Sequence, residues 1–495
     1  MSGKNSRPAP GRAARAYRSS ALQHSLSQLK PLVLVLATAG LLSLPAHAQL
    51  AANALPTGGV VAAGSATINS AGSALRVDQS TNKAVIDWQS FNIGSNASVR
   101  FNQPSSSSIT LNRVGEDGGR SLINGGLTAN GQVWLLNPGG ALFGPTANIN
   151  VGGLLASGLK LGNDDFMGGN YRFTKDGKDG AGNIVNQGLL AAAEGGYIAL
   201  LAPEVRNEGV ITARLGTVAL ASGNELRVDF TGDRLIEIRV DQSAVNGLIE
   251  NKNLVETEGG WVLMSAGAAS SLGAGGINNT GIVRASSLTE HAGVIRLEGG
   301  YAALGGSISA DGVAGAKGGT VQVSTSRDLS LADSVSAQST GGAGGSVGYS
   351  AGGKIIETST SHTNTSGHTD GGSIRVTAGG GILSSGHYSA SGATGHGGQI
   401  DMSGSNVRLL SATLDATGAT QGGLVRVGGE FQGGKAQDTS SDAYQRYIGR
   451  NAAQFGTLPE LPHAQRTFVN DSSRIDVSAT VGAGGTAVIW SDKET

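Results

Sequence analysis

Apolar and polar residues alternate in short bursts along this chain, and the bursts return at a fixed interval. A glycine pair, one further residue and an apolar–polar–apolar triplet appear as Gly318-Gly319-Thr320-Val321-Gln322-Val323 and Gly371-Gly372-Ser373-Ile374-Arg375-Val376. The same frame returns as Gly397-Gly398-Gln399-Ile400-Asp401-Met402 and Gly422-Gly423-Leu424-Val425-Arg426-Val427, with a weaker copy at Gly344-Gly345-Ser346-Val347. The first glycines fall at 318, 344, 371, 397 and 422, steps of 26, 27, 26 and 25 residues. Alternation predicts strands with one buried face. A steady period in this range predicts a solenoid whose repeats bury their apolar faces on one another. No Leu-x-x-Leu frame or 3.6-residue period accompanies the repeat, which excludes leucine-rich and helical arrays and leaves a parallel β-helix. The glycine pairs are expected at corners, supplying positive φ without a Cβ penalty. Proline, which would remove a ladder hydrogen bond, is missing from Val205 to Leu458.

A second motif lies upstream. Ile184-Val185-Asn186-Gln187-Gly188-Leu189-Leu190 matches Val205-Arg206-Asn207-Glu208-Gly209-Val210-Ile211 and Ile277-Asn278-Asn279-Thr280-Gly281-Ile282-Val283. A fourth copy, Ile249 to Val255, carries Asn251 and has Asn253 in place of the glycine. Gly and Asn both tolerate the left-handed region, so a left-handed corner is expected at this place. Asn186, Asn207, Asn251 and Asn279 either stack as an internal amide ladder or cap their own turns.

After 422 the next glycine frame is Gly484-Gly485-Thr486-Ala487-Val488-Ile489, a step of 62. The surplus over one ordinary repeat falls at 431–468, with Pro459, Pro462 and five aromatics, and reads as an excursion with a short helix at Asp442–Gln454. Ahead of it the repeat puts Arg375, Asp401 and Arg426 at one position of three consecutive turns. Their apolar neighbours point in, so these side chains are expected outside, as a solvated charge ladder with Asp401 between two arginines.

Composition narrows the class. Of 495 residues 81 are Gly, 14% are charged, 4% are aromatic and none is Cys. Without a Gly-X-Y period or abundant Pro the chain is not collagen-like, and 39% hydrophobic residues with few charges argue against disorder. Disulfides and Cys-based zinc sites are excluded. Residues 1–48 hold Lys4, Arg7, Arg12, Arg15, Arg18 and Lys30 and no acid, a net +6. The whole chain carries −1, so the remainder carries −7, and no footprint for nucleic acid is left. The basic stretch is followed by an apolar run at Leu32–Leu44 and by Pro45-Ala46-His47-Ala48. That is an export signal with a long basic region, cleaved between Ala48 and Gln49. An apolar run of 13 residues is short of the roughly 20 that span a bilayer.

Catalytic chemistry has little foothold. The nearest acid pair, Asp164-Asp165, lies in a Gly/Asn loop and reads as a solvated turn. No nucleotide, metalloprotease, serine-hydrolase or calcium-loop motif occurs. His362, His368, His387 and His396 crowd one region, and the spacing of His368 and His396 is near one turn. They are a metal or pH-sensing candidate, set against a Ser/Thr/Gly context that reads as exposed loop. The chain is read as a non-enzyme without metal or cofactor.

The segment 50–160 is not generic repeat. It contains Ile86-Asp87-Trp88-Gln89-Ser90-Phe91-Asn92-Ile93-Gly94, Val99-Arg100-Phe101-Asn102-Gln103-Pro104 and Leu111-Asn112-Arg113-Val114. Leu135-Leu136-Asn137-Pro138-Gly139-Gly140-Ala141-Leu142-Phe143-Gly144 and Ala147-Asn148-Ile149-Asn150-Val151-Gly152-Gly153-Leu154-Leu155-Ala156-Ser157 follow. These motifs, in this order, resemble the haemagglutination-activity, or two-partner secretion, domain of filamentous-haemagglutinin-like exoproteins. The resemblance covers about 50–300, and the later repeats look like the start of such a protein's shaft. It implies an all-β, right-handed, single-stranded parallel β-helix with an N-terminal cap and extra-helical strands. It also implies export through the periplasm to the Gram-negative cell surface or medium, by a cognate outer-membrane transporter whose periplasmic modules recognise the domain.

The domain plan is then 1–48 signal, 49–300 secretion domain, 301–430 repeats, 431–468 excursion and 469–495 a further turn of a chain expected to continue. The family hallmark Asn-Pro-Asn-Gly is replaced by Asn137-Pro138-Gly139-Gly140, a type II turn with Gly139 serving its left-handed position. Host-cell or glycan receptors are further candidate partners of a haemagglutinin-like adhesin. A polysaccharide-acting β-helix enzyme and the stalk of a contact-dependent toxin are the alternatives.

Overall fold

A strand that alternates like Val321-Gln322-Val323 can bury only one face, and this chain buries it by winding every strand onto its equivalent one turn earlier. The computed structural model describes residues 50–175, 182–230, 236–244, 247–267, 275–313, 315–434 and 442–495. The cleavage pair Ala48–Gln49 and the basic leader lie outside the described residues. Residues 51–495 form one unit, a parallel β-helix with three sheets. One turn comprises Ser334–Ser336 in the first sheet, Ser346–Ala351 in the second and Ile355–Glu357 in the third. Each pairs in parallel with the matching strand of the next turn. In the second sheet Val321, Val347, Ile374, Ile400 and Val425 are in register and buried. The 26-residue step is thus one turn of the solenoid.

The glycine pairs do not work by positive φ, contrary to the expectation from sequence. None of the frame glycines from Gly318 to Gly423 adopts it. Close stacking explains them. A Cβ on Gly345 would sit 2.1 Å from the Gly319 carbonyl oxygen, and one on Gly372 would sit 2.1 Å from that of Gly345. The upstream corners Gly188, Gly209, Asn253 and Gly281 are not left-handed either. Asn186, Asn207, Asn251 and Asn279 do form a ladder, fully buried, each Nδ2 donating to the next Oδ1 at 2.9, 2.8 and 2.7 Å. Asn186 also closes its own turn, accepting from Gly188 N, so the two readings coexist.

At the N-terminal end, Val60–Ala63 runs antiparallel to Lys83–Trp88, and Ala66–Ala71 forms a hairpin with Ala74–Gln79. These strands close the end of the solenoid. Outside it, Arg172–Thr174, Glu225–Phe230 and Ile236–Gln242 make a separate antiparallel sheet. With the short helix Asn163–Gly168 this sheet supplies Phe166, Phe173, Leu226 and Ile236 to a second core, over the outer face of the second sheet. That face is therefore apolar too, with Trp134, Leu136, Leu155 and Leu201 buried on it.

Between Leu424–Val427 and Arg466–Val469 the chain leaves the solenoid, forms the helix Asp442–Phe455, and returns. The helix lies where the sequence places one. The charge ladder beneath it needs correction. Arg375, Asp401 and Arg426 are in register on adjacent turns, but Asp401 and Arg426 are not solvated, being 1% and 0% exposed. The insertion covers them. Arg426 pairs with Asp401 and Glu430, whereas Arg375 Nη2 donates to Glu460 O at 2.7 Å. No helix among the described residues is long and apolar enough to cross a membrane.

Candidate functional site

The strand Gln132–Leu136 lies in the second sheet and Ala141–Phe143 in the third, so Asn137–Gly140 turns a corner between them. Gly140 N donates to Asn137 O at 2.7 Å, closing the turn, and Gly139 N donates to Asn137 Oδ1 at 2.8 Å. The Asn137 amide donates in turn to Gly119 O at 2.9 Å and Ser121 Oγ at 2.8 Å on the preceding turn of the helix. The side chain is 1% exposed, so its hydrogen-bonding capacity is spent inside the fold.

The turn is not type II. The left-handed residue is Gly140, at φ 82°, and Gly139 lies outside that region. Gly139 is instead a close approach, since a Cβ there would stand 2.6 Å from Gly119 O. An Asn at 139 would not fit this corner as Gly does. Pro138 O accepts from Gly182 N at 2.7 Å, tying the corner to the following turn.

Three of the motifs, those holding Asp87-Trp88, Arg113-Val114 and Leu136-Asn137-Pro138, meet here. Pro138 lines a groove of about 410 Å³ with Asp87, Trp88, Arg113, Glu116 and Lys160. Arg113 grips Asp87 with two bonds of 2.8 and 3.0 Å, and Lys160 pairs with Glu116. Beneath them Trp88 Nε1 donates to Asn112 Oδ1 at 3.0 Å, and Asn112 Nδ2 to Trp134 O at 3.2 Å. The groove thus has an apolar floor and paired charges on its rim. That chemistry suits an extended peptide or another protein surface better than a reaction.

The remaining candidates are dispersed. Asp164 and Asp165 occupy the first turn of the helix Asn163–Gly168, with Asp165 Oδ1 accepting from Asn170. Of the four histidines, the pair that stacks is His362 and His387, at 4.8 Å between ring centres and 10° between planes. Their 25-residue spacing matches the register. His368 and His396 are out of register, His396 pairing instead with Gln421. No group of three or more metal-ligating side chains occurs among the described residues.

The sequence reading missed the cluster around Trp134, which packs on Phe166, Tyr171, Phe173 and Phe230. Trp134 Nε1 donates to Tyr197 Oη at 2.7 Å, and Tyr197 donates to Gln132 Oε1 at 2.6 Å. Burial holds the Tyr197 hydroxyl far above its ordinary range. The signal lay in Val133-Trp134-Leu135-Leu136, an unbroken apolar run where a half-buried strand would alternate.

Comparison with known proteins agrees with this layout. A family model described as the TPS secretion domain matches residues 52–323. The heme/hemopexin-binding protein of Haemophilus influenzae strain Rd is 35% identical over 209 residues, 41% of this chain and 23% of that protein. A second Haemophilus influenzae heme/hemopexin-binding protein is 41% identical over 115 residues, 23% of this chain and 12% of that one. The chain therefore spans less than a quarter of the length of these relatives. Among solved structures, the HMW1 secretion domain from Haemophilus influenzae superposes with a TM-score of 0.61 at 23% identity, over 88% of this chain and all of that one. At that identity the likeness concerns the fold.

Proposed function

This chain belongs to the TPS, or two-partner secretion, domain family, and from that premise we propose that it is an exoprotein read by a dedicated outer-membrane transporter and displayed as an adhesive shaft. The observation that carries the proposal is the match over 52–323, on a chain that folds as one continuous β-helix. A solenoid suits such export because its contacts join neighbouring turns, so folding can propagate from the end that emerges first. The outer membrane has no ATP, and stepwise folding outside supplies direction.

In this reading the signal is removed between Ala48 and Gln49 in passage to the periplasm. The transporter's periplasmic modules then meet an unfolded chain and take part of it as an added strand. Asn137, Pro138, Gly139 and Gly140 serve first to lock a corner of the first turns to fold, since the Asn137 side chain faces inward. The groove beside Pro138 supplies the outward-facing part of the same motif block. The chain is proposed to act by binding, without catalytic residues or a cofactor, at the cell surface or in the medium.

The test is co-expression with the outer-membrane transporter encoded in the same genome, followed by adhesion of beads coated with the exported chain to epithelial cells. Transporter-dependent export with adhesion supports the proposal; export without adhesion removes the adhesin half of it. The relatives' names favour a second reading, a heme-acquisition arm, which a hemin titration of the exported chain tests through the shift of the heme absorption band.

A further inference from the structure

The insertion between Val427 and Arg466 does nothing to extend the shaft. Asn406 pairs with Arg466 and Val407 with Thr467, so the third sheet resumes in register as though the intervening residues were absent. The described residues among them line instead a cavity of about 870 Å³ against the outer face of the second sheet. The helix Asp442–Phe455 gives one face to it, through Tyr444, Tyr447, Ile448 and Ala452, spaced as i, i+3, i+4 and i+8. Phe431 stacks on Tyr447 at 4.8 Å and lies 6.5 Å from Tyr444, so an aromatic cluster forms one wall. Arg375, from the solenoid itself, and Glu460 and His463, from the return path, also line it.

The floor is fixed. Arg426 is locked by Asp401, and Glu430 accepts from Arg426 and from Leu461 N at 3.1 Å. Tyr447 Oη donates to Glu430 at 3.4 Å. A carboxylate at the cavity lining is thereby held in one orientation, beside aromatic rings and within reach of a guanidinium. The charges around the cavity nearly cancel: Arg375 and Arg426 stand against Asp401, Glu430 and Glu460. A polyanion finds no excess of positive charge here, and an acyl chain finds no dry lining.

What fits aromatic rings mixed with oriented carboxylate, guanidinium and imidazole groups is a molecule with apolar faces and a dense rim of hydroxyls. We propose that Arg375 and the described residues of the insertion, 430–434 and 444–463, form a saccharide-binding pocket on the side of the shaft, sized for a short oligosaccharide. Aromatic rings cover the C–H faces of the sugar, and Arg375, Glu430 and Glu460 take its hydroxyls. The proposal rests on the adhesin reading and names the chemistry of its receptor.

The exported full-length chain is applied to an array of defined oligosaccharides, and the strongest ligand is then titrated by calorimetry. Arg375→Ala and Tyr444→Ala are compared with wild type and with Leu383→Ala, a change at an exposed site on the third sheet. The expected result is binding of a restricted set of saccharides, weakened at least about tenfold by Arg375→Ala and by Tyr444→Ala at unchanged circular dichroism, and untouched by Leu383→Ala. No retained saccharide at millimolar ligand, or equal affinity in all four chains, overturns the pocket. Cell adhesion is scored on the same variants. Adhesion that survives Arg375→Ala and Tyr444→Ala overturns the pocket while leaving the adhesin reading standing. Saccharide binding lost in those variants by a chain that adheres to no cell upholds the pocket and removes the adhesin reading.

Discussion

Arg426 reaches across one turn of the helix and holds Asp401 with two hydrogen bonds, Nε to Oδ1 at 2.8 Å and Nη2 to Oδ2 at 2.7 Å, in a space sealed by the insertion. Burial alone would depress the guanidinium, but the bonds and charge of Asp401 outweigh it and raise Arg426 above its ordinary value. The pair holds the second sheet to the insertion, through the further bond from Arg426 to Glu430.

Breaking that pair from its two sides should not cost the same. Arg426→Met leaves the Asp401 and Glu430 carboxylates facing each other without a cation and should cost about 3–5 kcal/mol. Asp401→Asn leaves Arg426 its Glu430 partner and should cost less. The double change Asp401→Leu with Arg426→Met should recover much of the loss. Urea melts of the four chains check the order.

The amide ladder should show a positional gradient. Asn207→Ala or Asn251→Ala leaves an unpaired amide on each side, at about 1–3 kcal/mol for each orphaned group. Asn279→Ala, at the far end of the ladder, takes the partner from only one amide, that of Asn251. Hydrogen exchange at Val210, Leu254 and Ile282 reads the difference turn by turn.

Most of the architecture was legible because a solenoid writes its period into the chain. The glycine steps of 26, 27, 26 and 25 gave the register that pairs Arg375, Asp401 and Arg426. Their burial was not legible, because it depends on where the insertion folds back, and no local pattern records that. The glycines were found but for the wrong reason: sequence shows that a Cβ is forbidden, not whether φ or a neighbouring carbonyl forbids it. The histidine pair was misassigned by three residues of spacing, 28 for His368 and His396 against 25 for His362 and His387. Trp134 escaped because the strands that bury its outer face come from residues 172–242, far along the chain.

Glu357 gives the shaft a pH dependence. It points inward in the third sheet, where the preceding turn has Leu331. It accepts from Ser384 Oγ at 2.6 Å, and its Oε1 has no hydrogen-bonding partner among the described residues. Burial pushes its pKa up to about 7 from 4.5, against the Ser384 bond. The folded state therefore holds a proton that the unfolded chain has released. Stability from this group is full below about pH 4.5 and should fall by about 1.4 kcal/mol per pH unit until pH 7, then level off. Glu357→Gln should flatten that slope in melts recorded from pH 4.5 to 8.

The corner at Asn137 should tolerate little. Asn137→Ala removes three hydrogen bonds from a buried amide and should destabilise the domain by about 2–4 kcal/mol. Gly139→Asn, which restores the family's usual residue, should destabilise as well, because its Cβ would meet Gly119 O at 2.6 Å. Thermal melts of the refolded variants check both. A Gly139→Asn chain as stable as wild type would mean that Gly119 yields easily.

The central claim is that the region matched by the secretion-domain family is what the transporter reads. The most direct measurement is the fraction of a chain ending at residue 323 that reaches the medium, with and without the co-expressed outer-membrane transporter. The account predicts transporter-dependent release of this shortened chain, comparable to that of the full chain. A shortened chain that stays in the periplasm while the full chain is exported would contradict it.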